Sequence, residues 1–167
     1  YQPPTQEYLA PKTTVRVGLV QWQMRSYKTL DDLFEQVEFF VDAVSDYKSD
    51  FVLFPEYFNA PLMSKYNDKG ESQAIRGLAQ YTEEIRDRFI NLAISYNINI
   101  ITGSMPLIKE DGLLYNAGFL CRRDGTYEMY EKLHVTPDEI KSWGLSGGKQ
   151  LKTFETDCAK IGILICY

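Results

Sequence analysis

A carboxylate, an ammonium and a thiol stand just beyond three separate strand-like runs of this 167-residue chain: Glu56 after Phe51-Val52-Leu53-Phe54-Pro55, Lys132 closing residues 127–132, and Cys166 after Ile161-Gly162-Ile163-Leu164-Ile165. Functional groups of open α/β sheets collect beyond the carboxyl ends of strands. Brought together, these three make a base, an electrostatic stabiliser and a nucleophile. A free thiol titrates near pH 8.5, so only about a few per cent is thiolate at neutral pH. A neighbouring ammonium favours the thiolate, and a carboxylate can take the proton as sulfur attacks carbon.

Each residue taken singly has a plainer reading. A Cys ending an apolar strand is commonly a small buried hydrophobe. A Glu after Pro is commonly a solvated loop residue, and a Lys beside Glu131 one of an alternating exposed pair. The one His, His134, has no carboxylate or thiol at a fixed short spacing and is not read as a base. Cys121 and Cys158 read as structural or incidental.

The elements that must position the three follow from periodicity. Residues 15–20 and 51–54 are short, β-rich and apolar, and residues 98–102 form a third such run. Leu30, Leu33, Phe34, Val37, Phe40, Val41 and Val44 recur at helical spacing behind Thr29, a suitable N-cap. Ile85, Phe89, Leu92, Ala93 and Tyr96 mark a second helix. Residues 114–121 and 127–132, joined by Arg122-Arg123-Asp124-Gly125, read as a β-hairpin. Residues 59–78 and 133–150 read as two long loops, and residues 160–167 as the last strand. The order β-α-β-α-β-β-β-loop-β predicts a mixed sheet with both helices on one face. The cover for the other face is not evident in the sequence.

Composition sets the outer bounds. Hydrophobic residues at 44% and charged residues at 25% suit a globular domain with its own core. A net charge of −5 gives no basic footprint for nucleic acid or an anionic membrane surface. No apolar run is long enough to span a bilayer. Three cysteines without metal-ligand spacing argue against a disulfide framework or a zinc site, and for a reducing, cytoplasmic setting. Residues 1–14, with three prolines and no initiator Met, read as an interdomain linker or a cut, and residues 15–167 as the domain. Because the chain stops at Cys166-Tyr167, directly after an apolar run, it reads as part of a longer protein.

The joint pattern resembles the nitrilase superfamily of carbon–nitrogen hydrolases. Phe54-Pro55-Glu56, Glu131-Lys132-Leu133-His134 and Gly162-Ile163-Leu164-Ile165-Cys166-Tyr167 look like that family's three signature segments. They come in its order, with separations of 76 residues from Glu56 to Lys132 and 34 from Lys132 to Cys166. Residues 15–21, Gly103-Ser104 and Asn116-Ala117 fit as well. The resemblance implies an α/β fold, an αββα sandwich truncated here after the nucleophile strand. It implies hydrolysis of a non-peptide carbon–nitrogen bond in a small amide, nitrile or carbamoyl compound, with Glu56 as general base, Cys166 as nucleophile and Lys132 at the oxyanion. Oxyanion donors are worth on the order of 3 kcal/mol each, and Lys132 Nζ with the backbone N–H of Tyr167 is the natural pair. No metal or organic cofactor is required. Family members usually continue with Asp after Cys-Tyr and then roughly a hundred further residues, often form homodimers or larger homo-oligomers, and sometimes carry an extra N-terminal domain.

Glu139 has two readings. It resembles a second glutamate that many members place near the leaving group. Thr136-Pro137-Asp138-Glu139 is also a well-formed helix start, in which the Glu139 carboxylate caps Thr136 and does no chemistry. Two other functions compete with the hydrolase: a silent relative that binds a small amide, and a flavodoxin-like or receiver module. The latter calls for a phosphate loop or an acidic pair after the first strand, where Gln21-Trp22-Gln23-Met24 offers neither.

Overall fold

A computed structural model describes residues 13–166. Most of the expected linker, residues 1–14, and the Tyr167 amide therefore lie outside the described residues. The elements are β1 (Val17–Leu19), α1 (Leu30–Asp46), β2 (Phe51–Leu53), a 3-10 helix (Ala60–Tyr66), α2 (Glu71–Ala79), α3 (Thr82–Ser95), β3 (Asn99–Ile108), β4 (Leu114–Cys121), β5 (Tyr127–Glu131), a π-helical turn (Glu139–Trp143), β6 (Leu145–Ser146), β7 (Thr153–Glu155) and β8 (Lys160–Gly162).

The main sheet is mixed, as expected. β1, β2 and β3 run parallel, and β3, β4 and β5 run antiparallel. Beside β4, β5 pairs with residues 117–121, and β6 takes over the same side at Leu114 and Tyr115. The helices cover one face. Leu33, Val37 and Val41 of α1 and Ile85, Phe89 and Ala93 of α3 meet Val52, Phe54, Ile98, Ile100, Met105 and Phe119 of the sheet. Each such buried apolar side chain contributes about 1.5–3 kcal/mol, so this face is the main source of stability. Thr29 caps α1 as its sequence position predicts: its Oγ1 accepts from Asp32 N–H, and Asp32 accepts from Thr29 N–H, both at 3.0 Å.

Three expectations need correction. The segment 59–78 is largely helical. Its order comes from tertiary contacts: Leu62, Ile75 and Leu78 are buried, and Gly77 lacks the Cβ that would sit 2.6 Å from the Tyr66 ring. That close approach lets Tyr66 Oη donate to Gly77 O at 3.1 Å. The third strand continues well past residue 102, bending at a register shift between Ile101 and Ser104. The described part of the run 160–167, residues 160–166, forms no strand of the main sheet. Among these residues only Lys160–Gly162 is paired, to β7, in a separate two-stranded sheet.

The apolar run nevertheless does what its composition demands. Ile161, Ile163 and Ile165 pack with Phe154 on the sheet's second face, against Phe51, Ile101, Leu120 and Tyr130. Beyond Gly162, hydrophobic burial places the segment without a backbone ladder. The second face is therefore partly covered, while Val17, Leu19 and Leu164 remain exposed.

Candidate active site

Glu56 is delivered by a chain reversal that the sequence dictates in two places. Pro55 has no N–H to continue the ladder, while its carbonyl accepts from Ser104 N at 3.2 Å. Opposite it, Gly103 adopts φ +73°, and a Cβ there would lie 2.2 Å from Pro55 O. Only glycine allows this approach at that φ. Tyr57 follows with φ +50°, uncommon for a residue with a side chain.

Lys132 sits one residue past β5. Its N–H donates to Asn116 O at 2.9 Å, and its carbonyl accepts from Gly148 N at 2.8 Å, so its backbone is held from both sides. The side chain is only 2% exposed. Nζ lies 2.9 Å from Glu56 Oε1 and 2.9 Å from Glu139 Oε1. Burial by itself would lower the ammonium's pKa. The hydrogen bonds to Glu139 and Glu56 outweigh it, and the net shift is upward. At neutral pH Lys132 is a cation held between two carboxylates. Two of its three N–H groups are engaged, and no described residue takes the third.

The two carboxylates differ in what they have left. Glu139 is fully engaged. Its Oε1 accepts from Lys132 and from Tyr57 Oη at 3.1 Å, and its Oε2 accepts from Thr136 N at 2.8 Å. Burial would raise its pKa, but the Thr136 N–H and Lys132 hold the carboxyl below its ordinary value. Glu56 Oε1 accepts from Lys132 and from Asn116 Nδ2, the latter at 2.9 Å, while its Oε2 has no donor among the described residues. That oxygen is available as a base.

Cys166 lies in the left-handed region, φ +53°, with an exposed side chain. Ile165 beside it is buried in the second-face cluster and anchors the turn. Strained backbone of this kind concentrates at functional sites. Cys166 lines a cavity of about 180 Å3 together with Pro55, Glu56, Gly103, Ser104 and Tyr130. A wider cavity, about 600 Å3, opens beside Arg86, Phe119 and Tyr127 and holds none of these groups.

Glu56, Lys132 and Glu139 are thus directly joined, and Cys166 shares a cavity with Glu56. Three contributors are not read from the sequence as site residues. Asn116 carries a signal only in the pair Asn116-Ala117. Tyr57 has no signal beyond following Glu56. Ser104 Oγ is buried in the Cys166 cavity without a hydrogen-bond partner among the described residues. No group of three or more His, Cys, Asp or Glu among the described residues is placed to hold a metal ion. None of the described helices is long and apolar enough to cross a membrane.

Comparison with known proteins places the chain in a family. The carbon-nitrogen hydrolase family model matches residues 16–167. The chain belongs to that family. A probable hydrolase of Bacillus subtilis, YhcX, is 44% identical over 163 residues, which are 98% of this chain and 32% of that protein. The human omega-amidase NIT2 is 31% identical over 168 residues, 93% of this chain and 55% of that protein. Among solved structures, Saccharomyces cerevisiae Nit3, of the nitrilase superfamily, superposes with a TM-score of 0.74 at 23% identity, covering 92% of this chain and 55% of Nit3. An amidase from Nesterenkonia gives 0.73 at 19%, covering 92% and 56%. The chain spans about a third to a half of the length of these relatives. The mixed sheet carries helices on one face and the two-stranded β7–β8 sheet with its apolar cluster on the other.

Proposed function

We propose that the full-length protein hydrolyses the carbon–nitrogen bond of a small amide through a thioester on Cys166. The observation that carries this reading is the position of Lys132 between Glu56 and Glu139, while Glu56 lines the Cys166 cavity and its Oε2 has no donor among the described residues. The names of the relatives, omega-amidase among them, favour an amide over a nitrile.

In this mechanism Glu56 Oε2 takes the thiol proton as Sγ bonds to the amide carbon. The carbonyl oxygen becomes an oxyanion and accepts the remaining N–H of Lys132. Such a donor in a dry site is worth on the order of 3 kcal/mol. Glu56 then gives its proton to the departing nitrogen, the carbon–nitrogen bond breaks, and ammonia or an amine leaves. A water molecule, deprotonated by Glu56, attacks the thioester. The carbon–sulfur bond breaks, Glu56 returns that proton to Sγ, and the acid departs with the thiol restored. Glu139 stays ionised throughout and keeps the ammonium charged and in place.

The test is an ammonia-release screen of the full-length protein over small amides, with mass spectrometry of the quenched enzyme. Turnover with an acyl mass on the peptide containing Cys166 is the expected result. A protein that binds amides without turnover, or turns them over with no acyl-enzyme, contradicts the proposal.

A further inference from the structure

Glu139 Oε1 accepts two hydrogen bonds, from Lys132 Nζ at 2.9 Å and from Tyr57 Oη at 3.1 Å. Tyr57 reaches it across 82 residues of sequence from the turn that carries Glu56. That turn has the left-handed φ of +50° at Tyr57 itself, and the ring stands edge-on to Trp143 of the π-helical turn, centroids 5.6 Å apart. Tyr57 therefore ties the Glu56 loop to the Glu139 loop at an oxygen that also holds the ammonium. Burial first, and then the neighbouring Glu139 carboxylate, keep the hydroxyl protonated, so it stays a donor.

We propose that Tyr57 is a positioning residue of this site: its hydroxyl fixes the Glu139 carboxylate, and through it the Lys132 ammonium, relative to Glu56. The proposal rests on the hydrolase reading for its kinetic consequence and on the Tyr57–Glu139 contact alone for its structural one. A tyrosine that merely filled space would act through its ring, which Tyr57→Phe retains.

The experiment is a double-mutant cycle in the full-length protein, Tyr57→Phe and Glu139→Gln singly and together, read by two measurements. In steady-state kinetics, Tyr57→Phe is expected to lower kcat roughly tenfold with KM within about twofold, because the reacting groups lose alignment and the substrate loses no contact. In the Glu139→Gln background, adding Tyr57→Phe should change kcat by less than about twofold. In thermal unfolding against pH, Tyr57→Phe should reduce the stability that is lost on acidification below about pH 4.5, since Glu139 loses a donor to its charged form and its folded pKa moves back towards the unfolded one. That reduction should vanish in the Glu139→Gln background. An effect of Tyr57→Phe equally large in both backgrounds, a change in KM alone, or no effect overturns the proposal. If the wild-type protein turns over no amide, the hydrolase reading fails, and the unfolding measurement by itself decides whether Tyr57 holds Glu139.

Discussion

Glu139 and Lys132 are joined Oε1 to Nζ at 2.9 Å, and the same carboxylate closes the turn at Thr136 through Oε2 at 2.8 Å. The carboxylate serves both contacts, one with each oxygen: an ion pair with Lys132 and a helix cap at Thr136. Thr136 Oγ1 also accepts from Glu139 N–H at 3.3 Å, completing the capping box. The cap makes the partner precise, because a carboxylate anchored to its own backbone has few rotamers left with which to leave the ammonium.

Cys166 carries the reaction covalently in the proposed mechanism. Cys166→Ala in the full-length protein should fold normally, by circular dichroism and thermal unfolding, and lose at least about three decades of turnover. Amide hydrolysis near the wild-type rate would remove Cys166 from the mechanism.

Lys132→Met keeps the stem and removes the charge. It leaves Glu139, whose side chain is 8% exposed, without its cation and beside Glu56. Leaving a buried charge uncompensated costs on the order of 3 kcal/mol, measurable in urea unfolding at pH 7. Turnover should fall by about a hundredfold or more, since an oxyanion donor goes with it. A variant as stable as the wild type would mean that the two carboxylates do not depend on the ammonium.

The ionised cluster makes stability depend on pH at both ends. Glu139 is lowered from its ordinary 4.5, so its contribution is present above that pH and is lost as pH falls through the folded value. Lys132 is raised from its ordinary 10.5, so its contribution is present below that pH and is lost as pH rises through the folded value. The stability difference between wild type and Glu139→Gln should therefore be constant near neutrality and shrink below about pH 4.5. Chemical denaturation at a series of pH values measures it, and a difference that grows on acidification reverses the assignment.

Gly103→Ala tests the floor of the site. The new Cβ would meet Pro55 O at 2.2 Å in a residue held at φ +73°. Strain at such a position costs about 1–3 kcal/mol, and relief requires moving the turn that carries Glu56. Both the unfolding midpoint and kcat should fall. Loss of stability with unchanged kcat would show that the turn's position is not critical.

Much of this protein was legible in its sequence, and the limits have a physical pattern. Helix α1 and its cap, helix α3, the hairpin of β4 and β5, and the mixed sheet all follow from local periodicity, capping and turn chemistry. So do the places of Glu56 and Lys132, because Pro55 must end one strand and the hairpin must end where its register runs out. The three motifs in their order and spacing also named the family. What local chemistry could not decide is whatever depends on a distant neighbour. Helix α2 docks through the contact of Tyr66 with Gly77 and the burial of Ile75 and Leu78; the segment before Cys166 looks like a strand by composition yet is held by side chains packing on Phe51, Ile101 and Leu120. Tyr57 and Asn116 became part of the site only when the sheet brought residues 82 and 60 positions away to their side chains. Hydrophobic period and turn propensity act over a few residues and can be read along the chain. Ion pairing and the sharing of one carboxylate among several donors act across space, so tertiary structure alone assigned them.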